Sequence, residues 1–147
     1  MSDIQQHLPE FFGNHPYLCL AFVGLLVAII TTEVLRLFRG FKEVTPAGLT
    51  HLINRENALV IDLSAPADFE KGHVPGAKNV AMAQFDPENK ELTKVKDMPV
   101  ALYCRTGATA EEAAKRLVKA GFQRVFILGG GVASWVQADL PLAKGRN

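Results

Sequence analysis

The chain has 147 residues, of which 48% are hydrophobic, and its formal net charge is +1. This length supports one domain with an appendage, and the nearly balanced charge, with no basic face beside it, argues against a nucleic-acid partner. Two cysteines, Cys19 and Cys104, exclude a disulfide framework and a cysteine-based zinc site, and the four histidines show no metal-ligand spacing. We therefore expect neither a metal site nor a cofactor.

The first predicted element is an apolar helix near the N-terminus. No Asp, Glu, Lys or Arg occurs between Phe11 and Thr32. A helix over residues 16–39 would be about 36 Å long, which is enough to cross a bilayer core of ~30 Å with some tilt. A soluble helix that is apolar all round would need protein on every side, which so small a domain can hardly supply. The pattern predicts a transmembrane helix over 16–39, followed by a domain over 40–147.

The residues on either side of this helix indicate whether it is cleaved as a signal peptide and how it is oriented in the membrane. The tail, residues 1–15, contains no Lys or Arg, whereas a cleaved signal peptide would need a basic N-terminus. Arg36, Arg39 and Lys42 follow the apolar stretch. Since basic residues favour the cytoplasmic side, we expect a single-pass membrane protein whose C-terminal domain is cytoplasmic, in the inner membrane if the source is bacterial. A reducing compartment also preserves a reactive thiol.

From about Gly40 onward, strand and helix patterns alternate. Thr45 is expected to cap a short helix, and the continuous apolar run at 58–63 fits a strand of a parallel sheet that is covered on both faces. The remaining predicted elements are a helix over 66–71, a short strand over 78–81, a polar helix or loop over 86–98, and strands over 99–103 and 124–128. The alternation predicts an α/β domain with a parallel sheet flanked by helices.

Cys104 lies directly after the strand predicted at 99–103 and directly before a helical pattern. The backbone N–H groups of such a strand-to-helix loop, with the positive end of the helix dipole, favour an anion at the centre of the loop. The thiol is therefore expected to ionise more readily than a free cysteine and to act as a nucleophile. The alternative is a small apolar cysteine that ends a buried strand. Gly107 and the small Ala108 suit a tight ring of amides better than they suit continued packing.

The helix after this loop has charges that match its dipole, with Glu111 and Glu112 in the first turn and Lys119 in the last. Three glycines at 129–131 are expected to turn the chain tightly into a final helix. They lack the Lys-Ser/Thr pair of a P-loop and the spacing of a dinucleotide fingerprint, so a nucleotide site is disfavoured. Trp135 in that final helix is expected to lie in the core.

Four segments of the chain follow one another in the order of a known family. They are Ile-Asp-Leu at 61–63, Phe-Glu-Lys-Gly-His-Val-Pro-Gly-Ala at 69–77, the loop that begins at Cys104, and Gly-Gly-Gly-Val-Ala-Ser-Trp at 129–135. Together they resemble the single-domain rhodanese family of sulfurtransferases, of the kind with an N-terminal membrane anchor. The resemblance implies a parallel α/β sheet and a six-residue catalytic loop at residues 104–109.

The resemblance also implies a mechanism and a set of site residues. Cys104 would accept a sulfane sulfur as a persulfide, from a donor such as thiosulfate, and pass it to a small-molecule or protein acceptor. The other loop residues would bind the substrate: Arg105, Thr106, Gly107, Ala108 and Thr109. Many members of the family carry arginines where this chain has Ser64 and Thr109, which removes positive charge near the pocket. Arg105 either compensates for this loss or is a solvated surface residue.

Two other functions are compatible with parts of this pattern. A cysteine phosphatase or an arsenate reductase also holds a thiolate in an amide cradle, but cysteine phosphatases place an arginine six residues after the cysteine, where this chain has Ala110. A membrane-tethered interaction module with a rhodanese fold would dock a membrane-protein partner, and Cys104 would then be incidental.

Overall fold

A computed structural model of the chain describes residues 13–146. The chain separates into two compact units, Met1–Arg39 and Gly40–Asn147. In the first unit, helix α1 spans Pro16–Leu37 and ends two residues before the predicted limit. Among the described residues it is the one helix long and apolar enough to cross a membrane, and its apolar side chains are exposed. Most of the predicted tail, residues 1–12, lies outside the described residues.

The second unit is built on a sheet of five parallel strands. The strands are β1 (Phe41–Val44), β2 (Leu59–Asp62), β3 (Lys78–Asn79), β4 (Val100–Tyr103) and β5 (Val125–Leu128). Their order across the sheet is β1-β5-β4-β2-β3, so β4 lies in the centre between β5 and β2. The predicted parallel α/β sheet is confirmed.

The second unit has five described helices, of which the first four connect successive strands and the last follows β5. They are α2 (Pro46–Glu56), α3 (Pro66–Lys71), α4 (Lys90–Thr93), α5 (Ala108–Lys119) and α6 (Gly131–Gln137), with a 3-10 turn at Met82–Gln84. Thr45 caps α2 as predicted, because its hydroxyl accepts a hydrogen bond of 3.2 Å from the Gly48 N–H. Each of the four connecting segments returns the chain to the same end of the sheet, so that the strands run parallel.

The core consists of two clusters that alternate along each central strand. Val100 and Leu102 of β4 belong to the cluster that contains the apolar side of α5, whereas Ala101 and Tyr103 belong to the cluster that contains Trp135. This alternation follows from the two-residue period of a strand. Trp135 is buried in the core, as expected.

Two predicted elements differ in extent from the observed ones. The strand predicted at 78–81 pairs only at Lys78–Asn79. The Val80 N–H still donates to the Asp62 carbonyl oxygen at 2.9 Å, but the chain then enters the 3-10 helix and leaves the sheet. The polar segment 86–98 contains the single helical turn α4, whose Leu92 is buried. Both differences lie at an edge of the sheet or outside it.

Candidate active site

Cys104 lies at the carboxyl end of β4, the central strand. Ligands of open parallel sheets bind beyond the carboxyl ends of the strands, so this position faces the usual ligand edge. The Cys104 side chain is 5% exposed, and the Gly107 N–H donates to its Sγ at 2.9 Å. The sulfur is therefore held beside an amide donor at the start of α5.

Gly107 makes this approach of amide and sulfur possible. It is the N-cap residue of α5 and has φ of 103°, in the region that favours glycine. The 12-residue helix then begins at Ala108, so its positive end lies next to the thiol. Thr106 and Ala108 are exposed, and Thr109 is half-buried in the first helical turn. The predicted loop residues thus follow the sulfur in one tight strand-to-helix turn, and their roles in substrate binding stay predictions.

A second loop, residues 129–131, supports the cysteine loop. The Val132 N–H donates to the Cys104 carbonyl oxygen at 3.0 Å. Gly131 has φ of 63°, and a Cβ atom there would lie 2.6 Å from the Arg105 carbonyl oxygen and closer still to that of Cys104. The expectation of a tight turn was therefore incomplete, because Gly131 also allows two loops to touch. Sequence reasoning had no signal for that contact.

A pocket of about 210 Å³ opens beside Cys104. Part of its wall is apolar: Val132, Val136 and Leu142. The charged side chains of its wall are Asp62, Asp68, Lys71 and Arg105. The pocket gives a small ligand access to the sulfur and has walls of two chemical kinds.

Arg105 is neither a free cation nor a simple surface residue. Its Nη1 lies 2.7 Å from Oδ1 of Asp68, although the Arg105 side chain remains 62% exposed. Asp68 and Lys71 of α3 are pocket residues that the sequence analysis did not identify. A signal was available, since Asp68 immediately precedes the 69–77 segment that carried the resemblance.

Hydrogen-bonded polar side chains at the ends of β2 and β4 also line the pocket. Asp62 is buried, and its Oδ1 accepts from the Ser64 N–H at 2.8 Å and from the Ser64 hydroxyl. The Tyr103 phenol accepts from the Val74 N–H at 3.0 Å. Burial, and then the nearby Asp62 charge, raise the pKa of Tyr103 far above the usual value for a phenol. Ser64, at a position where the resemblance implies an arginine, therefore positions Asp62.

His73 is a structural residue rather than a ligand. It is buried, its ring stacks on Phe69 at 3.7 Å between centroids, and its Nδ1 lies 2.8 Å from the Phe69 carbonyl oxygen. Its backbone pairs with Ala143, which fastens the C-terminal segment next to the pocket residue Leu142. A larger cavity of about 550 Å³ adjoins Phe69, Glu70 and Arg146. Cys104 does not line it, so the smaller pocket is the candidate site.

Comparison with known proteins agrees with this geometry. The family described as the rhodanese-like domain matches residues 45–138. The chain is 41% identical over 142 residues to YibN, an uncharacterized protein of Escherichia coli K12, covering 96% of this chain and 99% of that protein. It is 29% identical over 99 residues to the thiosulfate sulfurtransferase GlpE of Pseudoalteromonas translucida, covering 67% of this chain and 92% of that protein.

A solved structure shows the same fold. The rhodanese-related protein of Thermoplasma volcanium superposes with a TM-score of 0.59 at 22% identity, covering 69% of this chain and 97% of that one. The family match covers well over half of the chain and includes both the strand that ends at Cys104 and the loop that supports it. The chain belongs to the rhodanese-like domain family.

Proposed function

We propose that this protein is a sulfurtransferase that carries a sulfane sulfur on Cys104. The observation that supports this most directly is the Cys104 Sγ, held 2.9 Å from the Gly107 N–H at the start of α5 and open to a pocket. The same amide and helix terminus that favour a thiolate would favour the terminal anion of a persulfide. The related thiosulfate sulfurtransferases support the same class of reaction.

The proposed reaction has two steps. The Cys104 thiolate attacks the outer sulfur of thiosulfate, a new S–S bond forms, the S–S bond of thiosulfate breaks, and sulfite leaves with that bond's electron pair. An acceptor such as cyanide or a thiolate then attacks the terminal sulfur of the persulfide, and the Cys104 thiolate is released. Since the thiolate is regenerated, neither step needs an oxidant or a reductant.

The test is loading and transfer by the full-length chain. Incubation with thiosulfate should add the mass of one sulfur atom to the protein, and cyanide should then remove it as thiocyanate. Cys104→Ser should reduce both to background, because the attacking thiolate is lost. Cys19→Ser is the matched control, since Cys19 belongs to helix α1, and it should behave as the wild type.

An aryl phosphate distinguishes this proposal from phosphoryl chemistry. Ala110 is fully buried against the sheet within α5, so the position where a cysteine phosphatase carries its arginine offers no guanidinium here. Phosphatase turnover that depends on Cys104, without persulfide formation, would contradict the sulfurtransferase proposal. Absence of both loading and transfer in the wild type would favour an interaction module instead.

We further propose that α1 anchors the enzyme in a membrane with its C-terminal domain in the cytoplasm. Support comes from the length and apolar exposed surface of α1 and from the basic residues Arg36, Arg39 and Lys42 that follow it. In this arrangement sulfur donors and acceptors, a membrane-protein partner among them, would meet the enzyme at the inner surface. A C-terminal reporter active only outside the cytoplasm should give no signal, and a strong signal would reverse the orientation.

A further inference from the structure

Both cations that line the Cys104 pocket pair with the same carboxylate. Oδ1 of Asp68 lies 2.7 Å from Nη1 of Arg105 and 3.5 Å from Nζ of Lys71. The Asp68 side chain is 28% exposed, whereas its two partners extend further into solvent. Asp68 therefore offsets the positive charge at the mouth of the pocket.

The other described lining residues add no cationic side chain to balance a dianion. Asp62 lines it with a second carboxyl group, and the Ser64 hydroxyl and N–H are both committed to that carboxyl group. Two carboxyl groups thus face two cations among the described lining residues, which is a formal balance of zero. Thiosulfate carries two negative charges, and a neutral pocket gives such an ion little electrostatic attraction.

The apolar part of the pocket wall is suited to carbon rather than to oxyanions. Val136 is 50% exposed and Leu142 is 37% exposed, and both line the pocket together with Val132. Leu142 is held in place because the neighbouring Ala143 pairs with His73 through backbone hydrogen bonds of 2.9 Å. An organic group attached to a sulfur would contact this wall and displace water from it.

We propose that Asp68 is a specificity-determining residue that directs Cys104 toward persulfides of organic thiols and away from small inorganic dianions. This inference rests on the sulfurtransferase function proposed above. The Cys104 thiolate attacks the outer sulfur of R–S–SH, the S–S bond of the donor breaks, and R–S⁻ leaves with its electron pair. The proton stays on the transferred sulfur, so the products are Cys104–S–SH and R–S⁻, and the charge balances.

Asp68→Asn tests this proposal by removing the charge with little change in shape. The variant frees Arg105 and Lys71 and should favour thiosulfate. A unit charge within one pocket of a dianion, at the dielectric of a protein surface, corresponds to an expected gain of about 5- to 50-fold. Glu70→Gln is the matched control, because Glu70 lies on the same helix, pairs with Arg146 and lines the other cavity.

The measurement is the single-turnover rate of Cys104 persulfide formation in the full-length chain, followed by mass spectrometry, with thiosulfate and with cysteine persulfide as the two donors. The ratio of the two rates is independent of the fraction of active protein, so partial misfolding of a variant does not disturb it. The wild type should load faster from cysteine persulfide. Asp68→Asn should shift the ratio toward thiosulfate by about 5- to 50-fold, and Glu70→Gln should shift it less than about twofold.

Two results would overturn the role of Asp68 while leaving the sulfurtransferase function intact. One is that the wild type loads from both donors and Asp68→Asn gives the same ratio of the two loading rates. The other is an equal shift in Glu70→Gln, which would show an effect of net charge alone. If neither donor loads Cys104 in any of these proteins, the result would instead contradict the proposed function itself.

Discussion

Two neighbouring loops of the sheet are built alike and do different work. The cysteine loop follows β4 and the glycine loop, residues 129–131, follows β5, and each enters a helix through an N-cap glycine of positive φ, Gly107 at 103° and Gly130 at 74°. The first loop presents a sulfur to a pocket, whereas the second presents backbone to the first. A tight glycine turn at a strand end therefore does not by itself indicate a catalytic site.

The difference lies in what each loop is packed against. Cys104 receives an amide at its sulfur from Gly107 and an amide at its carbonyl oxygen from Val132. The glycine loop is held from its own helix, since the Ser134 hydroxyl contacts the carbonyl oxygens of Gly129 at 2.5 Å and Gly131 at 2.9 Å. The glycine loop thus supports the cysteine loop.

Three substitutions test how the two strand ends and their loops differ. Trp135, the single tryptophan, is buried in α6 and reports unfolding by fluorescence.

Gly131→Ala should have the largest effect. Its Cβ would meet the carbonyl oxygens of Cys104 and Arg105, so the backbone of one loop must move, and positive φ adds strain. We expect a loss of about 3 kcal/mol or more in the free energy of unfolding, and about a 10²-fold slower persulfide loading in the folded fraction. Gly121→Ala is the control, because Gly121 has φ of 93° with nothing near its Cβ position, and it should cost about 1–2 kcal/mol without slowing loading. Equal effects of the two variants would contradict the support role.

Tyr103→Phe compares the ends of the two strands, since β4 ends in a hydrogen-bonded tyrosine and β5 in the apolar Leu128. Removing the phenol leaves the Val74 N–H without its partner. The free energy of unfolding at pH 7 should fall by about 1–3 kcal/mol. Tyr17→Phe, in the other compact unit, should leave unfolding of the domain unchanged.

The difference in stability between the wild type and Tyr103→Phe should also depend on pH. Because the pKa of Tyr103 is raised in the folded state, the wild type gains stability from its neutral phenol below about pH 10 and loses that gain as the pH rises above it. Tyr103→Phe lacks this term, so the gap between the two proteins should narrow above about pH 10. Urea unfolding at pH 7 and at pH 10.5 measures the gap, and a widening with pH would contradict the raised pKa of Tyr103.

Ser134→Ala should have the smallest effect. The hydroxyl is bonded to carbonyl oxygens of the glycine loop and has no hydrogen bond of its own to the cysteine loop among those described. We therefore expect a loss of about 0.5–1.5 kcal/mol in the free energy of unfolding. Persulfide loading should slow less than in Gly131→Ala. A slower rate than in Gly131→Ala would mean that the hydroxyl, rather than the close backbone contact, positions Cys104.

Local patterns in the sequence were enough for several features. The apolar stretch of α1, the continuous apolar strand β2 and the cysteine at the end of β4 each depend on residues near one another in the chain. Their spacing alone predicts helix or strand, because the periods of 3.6 and 2 residues are properties of the backbone. The parallel direction of the strands follows from the helices that connect them. In the same way, Gly107 before a helical pattern was sufficient to suggest an amide at the sulfur.

Tertiary structure alone decided how the site is completed. Asp68 pairs with Arg105 across 37 positions, Tyr103 accepts from Val74 across 29 positions, and Gly131 meets the carbonyl oxygens of the cysteine loop. No periodicity records such contacts, because they depend on how two strand ends and a helix pack at one edge of the sheet. The position of Cys104 between a strand and a helix is thus a local property of the sequence, whereas the charge balance of its pocket and the support of its loop arise only when distant segments meet.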